Sequence, residues 1–251
     1  MNKLLKQICL SLSAILATML LFDMTSLDLR FQSLFFDSER QRWFWSGSEP
    51  VKRLIFYHLP KIGLIIFALS LIAVLILRKR LQLSKRLTRQ LGIVLISLMA
   101  VPLTVQQLKA HTNVACPKNL EVFGGNVAYV PLLSTYPPGT RPTHRQHGFP
   151  AGHASGGFAL MSLCFLFDAA DRRRKVLIGA LMAGWTMGFY KILIGDHFLS
   201  HTLVSMEIGW LAPFSIAYLH AVFQNRRQLG RWAWLGTHHP LSKSAPQENS
   251  N

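Results

Sequence analysis

The feature that most constrains the fold of this 251-residue chain is a series of six apolar blocks separated by polar segments. Each block has 15 to 22 residues. That is the length of helix that crosses a hydrocarbon core of roughly 30 Å at about 1.5 Å per residue. Lipid offers backbone groups no hydrogen-bond partners, so such segments must be helical. The sequence therefore predicts an all-α polytopic membrane protein, a bundle of six transmembrane helices at residues 4–22, 59–77, 91–108, 156–170, 176–195 and 202–223.

The first block has an alternative interpretation as a cleaved signal peptide, because Lys3 and Lys6 precede it. The apolar run continues past Ala17 to residue 22 without a small-residue cleavage site, which favours an uncleaved anchor. We therefore expect one membrane domain at residues 1–225, followed by a disordered cytoplasmic tail at residues 226–251.

The placement of the basic residues predicts the orientation of the chain. The formal net charge is +16, and 16 of the 27 Lys and Arg residues lie at the N-terminus, in every second connecting segment and in the tail. This positive-inside pattern indicates that both termini are cytoplasmic. Short basic loops attract anionic headgroups, so we expect membrane lipids rather than nucleic acid as partners. The expected location is a bacterial inner membrane, with residues 23–58, 109–155 and 195–200 on the outer, periplasmic side.

Ionisable side chains gather at the outer ends of the predicted spans, where a bilayer makes them costly. Each could be an interfacial residue, which is the common case for a single Lys. Three such places on one predicted side point instead to an active site at the outer face. The residues are Lys109 at the end of the third span, His153 at the start of the fourth, and Lys191, Asp196, His197 and His201 around the last turn.

The chemistry of these groups suits phosphoryl transfer. His153 follows Gly152 at a predicted helix N-terminus, where free N–H groups and the helix dipole favour an anion. A neutral imidazole can act as a nucleophile and an imidazolium as a general acid near pH 7. Lys109 and Lys191 could hold phosphate oxygens. The acidic residues show no metal-ligand spacing, so we expect no metal and no other cofactor.

These segments resemble the motifs of the type 2 phosphatidic acid phosphatase superfamily of integral membrane lipid phosphatases. The family pattern is Lys-x6-Arg-Pro, then Pro-Ser-Gly-His, then Ser-Arg-x5-His-x3-Asp. The resemblance covers residues 91–223, the motif-bearing core. The matching positions are Lys109 with Cys116-Pro117, then Pro150-Ala151-Gly152-His153, then Tyr190-Lys191 with His197 and His201.

The resemblance implies a phosphohistidine mechanism. His197 would attack phosphorus, and His153 would protonate the leaving oxygen. His201 would occupy the position of the residue that orients the nucleophile. Lys109, Lys191 and the Gly152 amide would hold the phosphate. The stretch FPAGHASGGF, residues 149–158, would form the general-acid loop, where glycines let the backbone approach an anion closely.

One departure from the family pattern concerns the first motif. Cys116 replaces an Arg, and a neutral thiol cannot hold phosphate as a guanidinium fork does. Three basic residues of the same long loop could supply the missing charge: Lys118, Arg141 and Arg145.

Two further departures concern the third motif. Lys191 replaces an Arg, which keeps the charge but loses bidentate geometry, and His201 replaces the Asp. Asp196 is a weak alternative source of the negative charge. The chain is thus either a divergent active enzyme or an inactive relative kept as a scaffold, transporter part or sensor. Both histidines and Lys109 favour activity.

Several other residues have a structural interpretation beside a functional one. The aromatic cluster at residues 43–45 predicts an interfacial helix or belt anchor more than a substrate contact. Glu207, inside the last span, is equally a functional candidate and a partner for a polar group on a neighbouring helix. Trp185 and Tyr190 are expected to pack.

The sequence thus predicts an enzyme that hydrolyses a phosphomonoester or diphosphate of a lipid. Phosphatidic acid, phosphatidylglycerophosphate, undecaprenyl diphosphate and the phosphates of lipid A all remain open as substrates. One alternative is a phosphotransferase that moves phosphate onto a lipid such as lipid A. Another is a non-catalytic protein that binds or moves anionic lipids.

Overall fold

The computed structural model describes residues 2–237, with side chains through residue 224. Its principal elements are helices, which confirms the all-α class. The helices are α1 (Asn2–Asp23), α2 (Leu27–Ser33), α3 (Pro50–Arg53), α4 (Leu59–Ile76), α5 (Lys85–His111), α6 (Gly152–Ala159), α7 (Ala170–Leu193) and α8 (Leu199–Thr237). A π-helical segment, Leu54–His58, joins α3 to α4, and a 3-10 segment, Leu160–Leu166, continues α6. Short 3-10 turns lie at Pro117–Asn119 and Glu121–Phe123.

Within the described residues, five helical segments are long and apolar enough to cross a membrane. They are Asn2–Asp23, Pro50–Ile76, Lys85–His111, Ala170–Leu193 and Leu199–Gln224. In place of the fourth predicted span, residues 156–170, the structure has an apolar helix of the same length that lies four residues earlier, Gly152–Leu166. Its eight α-helical and seven 3-10 residues extend about 26 Å, which is less than a hydrocarbon core of roughly 30 Å. The apolar helices support a membrane protein, but the predicted count of six spans is not confirmed.

Helix α1 packs against α8 through two polar pairs as well as apolar contacts. The Thr18 hydroxyl donates to Glu207 Oε1 at 2.7 Å, and the Trp210 indole N–H donates to Gln7 Oε1 at 3.0 Å. The first bond gives Glu207 a partner on a neighbouring helix, which was one of its two predicted roles. Both pairs join side chains within apolar helices, where an unpaired polar group is costly.

Small residues allow α6 and α7 to approach closely. A Cβ atom added to Gly157 would lie 2.6 Å from the Cα atom of Gly184, so the two backbones touch where both residues lack side chains. Phe158 is fully buried next to this contact and packs edge-on against Trp185. Trp185 also donates to the Met206 sulfur at 3.3 Å, which agrees with its predicted packing role.

One described end of the bundle carries the basic segments 78–89 and 172–175. At this end, Arg86 at the start of α5 forms an ion pair with Asp168, and Arg89 reaches Gln224 in α8. We call this the basic end, and the opposite end, where the three motif segments meet, the site end. The backbone of α8 continues to Thr237, and the domain boundary predicted at residue 225 stays a prediction. The predicted disorder of residues 238–251 lies outside the described residues.

The aromatic cluster at residues 43–45 does not form an interfacial helix, and its alternative role as a belt anchor stays a prediction. Strands β1 (Phe36–Asp37) and β2 (Arg42–Trp43) pair antiparallel at the site end. The Trp43 ring packs against Gly195, whose φ of +73° is one that L side chains rarely adopt. Trp45 and Tyr190 pack together with ring centres 6.1 Å apart. The cluster therefore supports the turn that carries the third motif.

Candidate functional site

The turn between α7 and α8 brings the first and third motifs together. The Lys118 backbone N–H donates to the Gly195 carbonyl at 2.9 Å. The Asp196 carboxylate lies between two lysines, with Oδ1 2.7 Å from Lys118 Nζ and Oδ2 2.7 Å from Lys191 Nζ. Burial alone would raise the pKa of Asp196, but Lys191 and Lys118 outweigh it and lower that pKa. The carboxylate is therefore ionised at neutral pH.

The loop of the second motif is fixed between the segment that follows α5 and the first turns of α8 by two backbone hydrogen bonds and two donated by hydroxyl side chains. Gly148 approaches the first motif so closely that an added Cβ atom would lie 2.6 Å from the Val114 carbonyl oxygen. These bonds fix the path of the loop immediately before His153. They are Gly148 N–H to Val114 O at 2.7 Å, Thr112 Oγ1–H to Phe149 O at 2.7 Å, Ala151 N–H to His201 O at 3.0 Å and Ser205 Oγ–H to Ala151 O at 3.0 Å.

His197 is buried, and its Nδ1 lies 2.8 Å from the Gly148 carbonyl oxygen. A carbonyl can only accept, so in this geometry the Nδ1 atom carries the proton. Nε2 of the neutral ring then keeps its lone pair. Burial first, then the positive charge of Lys109, holds the pKa of His197 well below its usual value. The ring is therefore neutral at neutral pH and has the form required of a nucleophile.

His153 lies in the first turn of α6, and its ring centre is 4.4 Å from that of Tyr57. Within the described part of the chain, its Nδ1 atom has no hydrogen-bond partner. A Cβ atom added to the preceding Gly152 would be 3.7 Å from Lys109 Nζ, so this lysine lies beside the helix N-terminus. Free N–H groups and a lysine together favour an anion at this position.

His201 is buried beside His197, with ring centres 5.8 Å apart. The hydrogen-bond partner of His197 Nδ1 is the Gly148 carbonyl and not His201. The Nδ1 atom of His201 has no partner among the described residues, whereas its backbone carbonyl accepts from Ala151. His201 therefore holds the second-motif loop through its backbone.

The PAP2 superfamily model matches residues 90–227, which is more than half of the chain and includes all three motif segments. The chain belongs to the PAP2 superfamily. No curated protein and no solved structure matches it. PAP2 members are generally phosphatases, so the membership supports phosphatase or phosphotransferase chemistry in general. Among the residues described here, no group of three or more His, Cys, Asp or Glu side chains could hold a metal ion.

The position usually occupied by Arg in the PAP2 pattern carries a thiol that cannot bind phosphate. Burial raises the pKa of Cys116, and the negative charge of Asp196 raises it further, against the smaller opposing effects of nearby lysines. Of the three basic residues predicted to compensate, Lys118 is the one brought to Asp196. The Arg145 guanidinium donates to the His111 carbonyl at 2.6 Å, and both Arg145 and Arg141 line a different cavity from the one beside Lys109.

Two residues beside the PAP2 motifs were missed by the sequence analysis. The Tyr57 ring lies 5.1 Å from Lys191 Nζ, in addition to its contact with His153. Lys61 lines a cavity of about 520 Å³ together with Lys109 and His153. Both belong to the second apolar helix, outside the motif-bearing core. The sequence offered one signal for these two residues, which is that Lys61 is a charged residue inside an apolar block.

Proposed function

We propose that this chain is a membrane lipid phosphatase that hydrolyses a phosphomonoester or diphosphate through a phosphohistidine at His197. One observation carries the proposal: the Nδ1 proton of a buried, neutral His197 is fixed on the Gly148 carbonyl. That bond leaves the Nε2 lone pair free to attack phosphorus, as an orienting carboxylate does in other histidine-dependent enzymes. An inactive relative would not need this tautomer.

The reaction proceeds in two steps. Nε2 of His197 attacks phosphorus and forms an N–P bond, while the bond from phosphorus to the leaving oxygen breaks. Burial, then the charge of Lys191, lowers the pKa of His153 to about 4, so His153 takes up a proton when the anionic phosphate binds beside it and passes that proton to the leaving oxygen. A water molecule, deprotonated by His153, then attacks the phosphohistidine. The N–P bond breaks, inorganic phosphate leaves, and both histidines return to their starting states.

Three lysines provide the electrostatic stabilisation that phosphoryl transfer requires. Lys109 lies beside the N-terminus of α6, and Lys118 and Lys191 flank Asp196. With one carboxylate among three ammonium groups, the cluster keeps a net positive charge at neutral pH. Asp196 holds two of the lysines apart in the absence of substrate, and a phosphate oxygen takes over part of that role when substrate binds.

A lipid is the substrate because the site opens onto apolar helices. The cavity beside Lys109 and His153 continues along Leu64, Leu98 and Leu103, which suits an alkyl chain. The site end faces the outer side of the inner membrane, since the basic residues favour the cytoplasm.

The test measures phosphate release by the purified protein in detergent from a panel of lipid phosphates. His197→Ala and His153→Ala should each lower kcat by at least about 1,000-fold. His144→Ala, in an exposed position of the same long loop, is the matched control and should retain activity within about 2-fold.

A ³²P-labelled lipid identifies the intermediate and separates the two possible reactions. Acid-labile, alkali-stable label on the parent protein, absent from His197→Ala, supports the phosphohistidine. Label that appears on an acceptor lipid instead of in inorganic phosphate would make the protein a phosphotransferase. A folded parent with no turnover in either assay would reject the enzyme proposal.

A further inference from the structure

Lys61 is the only charged residue in α4, a helix that is otherwise almost wholly apolar. A charge within such a helix is costly unless it has a partner or a function. Lys61 forms no ion pair with any other described side chain. Its side chain is exposed and lines the cavity that also contains Lys109 and His153.

The helix geometry shows on which side of the reacting phosphate Lys61 lies. Tyr57 contacts His153 and Lys191, and Lys61 follows four residues later, one turn further from the site end on the same face of the helix. Gln106 of α5 lines the same cavity and lies about one turn before Lys109, which is also further from the site end, and most of the remaining lining is apolar, including Leu64 and Leu103. From the site end, the cavity therefore presents first the proposed acid His153, then the Lys61 ammonium and the Gln106 amide, and then an apolar wall.

His153 is the proposed acid for the leaving oxygen, so Lys61 lies where the leaving group must emerge. Diacylglycerol is neutral and would leave the ammonium group unpaired next to an apolar wall. A leaving group that carries its own phosphate would pair that phosphate with Lys61, and its alkyl chain would pack against the apolar wall.

We infer that Lys61 is a substrate-binding residue that selects lipid diphosphates, and this inference rests on the proposed phosphatase function. Lys109, Lys118 and Lys191 bind the terminal phosphate, and Lys61 with Gln106 binds the second. His197 takes the terminal phosphoryl group, and the bond to the bridging oxygen breaks. The lipid monophosphate leaves with the electron pair and a proton from His153. Water then releases inorganic phosphate, so one diphosphate and one water give one monophosphate and one phosphate.

The test compares three substrates of the purified protein: farnesyl diphosphate, phosphatidylglycerophosphate and phosphatidic acid. The parent should show kcat/KM at least about 10-fold higher for the diphosphate than for phosphatidic acid. Lys61→Met should lower kcat/KM for the diphosphate by about 10- to 100-fold and change that for phosphatidic acid by less than about 3-fold. Lys61→Arg, which keeps the charge, should retain the preference.

Lys52→Met is the matched control, because Lys52 precedes Lys61 at the site end but is bound to Glu49 at 2.7 Å and lies over the Trp45 ring. It should leave the order of substrates unchanged. An equal loss on all three substrates with Lys61→Met, or no loss on any, would make Lys61 a structural or interfacial residue. A loss on phosphatidylglycerophosphate as large as that on the diphosphate would reject the direct diphosphate assignment, because its two phosphates are separated by glycerol.

A binding measurement separates failure of this inference from failure of the proposed function. Farnesyl methylenediphosphonate cannot be hydrolysed, and it should bind the parent about 10-fold more tightly than it binds Lys61→Met. That difference in a protein without turnover would retain the diphosphate site and reject only the catalysis. Equal affinities in an active protein would reject only the inference.

Discussion

At the scale of single residues, a backbone carbonyl performs a task for which the PAP2 pattern uses a side chain. The third motif has His201 where the family has Asp, and a histidine brings no negative charge. Gly148 supplies an acceptor 2.8 Å from His197 Nδ1, and the residue must be glycine because a Cβ atom would collide with the Val114 carbonyl. The carbonyl fixes the tautomer without stabilising an imidazolium as strongly as a carboxylate would. Attack by His197 Nε2 therefore depends on the neutral form of the ring that burial already favours.

The loss of Arg at Cys116 is compensated, in our interpretation, by Lys118. Burial would lower the pKa of Lys118, but the hydrogen bond that its ammonium group donates to Asp196 and the negative charge of that carboxylate outweigh burial and raise the pKa, so the ammonium group stays charged. Lys118→Met should lower kcat/KM by about 10- to 100-fold, measured as phosphate release from the preferred lipid. Arg145→Met, at the other candidate position, should change it by less than about 3-fold. The opposite ranking of these two variants would assign the phosphate to the Arg145 side of the loop.

At the scale of elements, the N-terminus of α8 is tied to α2 by a buried carboxylate. Asp28 accepts hydrogen bonds from the Ser200 backbone N–H at 3.0 Å and from the Ser200 hydroxyl. Burial raises the pKa of Asp28 from 3.8 to about 6, although the bonds from Ser200 oppose that rise. Asp28 therefore holds the start of the helix that carries His201, and the folded protein favours the protonated form of this carboxyl over the ionised form.

The consequence for stability follows from the direction of that shift. A pKa raised on folding contributes stability that is complete below about pH 3.8 and is lost as the pH rises through about 6. Ionisation should therefore cost on the order of 2–3 kcal/mol between pH 4 and 7. Asp28→Asn keeps an acceptor for the Ser200 N–H and cannot ionise. Its melting temperature in detergent should exceed that of the parent by about 5 °C at pH 7 and match it near pH 4. A parent that is the more stable protein at pH 7 would mean that the helix dipole stabilises the carboxylate.

The packing of the elements shows which parts of the fold could be predicted from residue types. Long apolar runs determine helices whatever their neighbours, and α1, α4, α5, α7 and α8 appear where those runs lie. The fourth span was predicted at residues 156–170, four residues later than the helix at Gly152–Leu166, and its 3-10 geometry after Ala159 was not predicted, because that geometry depends on packing against other helices. The Gly148 carbonyl was invisible to the sequence analysis, since a backbone acceptor leaves no mark on residue type. Lys61 stands out in the sequence as a charge in an apolar block. Because it lies outside the motifs, only the fold shows that it lines the cavity of the site.

At the scale of the whole molecule, the distribution of basic residues along the bundle predicts its orientation in the membrane. Basic residues flank the helix ends at the basic end, where Arg86 pairs with Asp168, and the three motif segments meet at the site end. From this distribution the positive-inside rule predicts that the site end lies outside the cytoplasm. A lipid phosphatase in that orientation acts on the outer leaflet and releases phosphate away from the cytoplasm.

Cysteine labelling tests this orientation. Ser38→Cys at the site end and Lys79→Cys at the basic end both occupy exposed positions, and Cys9, Cys116 and Cys164 are replaced by Ala in the background. A membrane-impermeant maleimide on intact spheroplasts should label Ser38→Cys and should reach Lys79→Cys only after permeabilisation. Equal labelling after permeabilisation serves as the control for folding and reactivity. The reverse pattern would put the three lysines on the cytoplasmic side, and the substrate would then be a lipid phosphate of the inner leaflet.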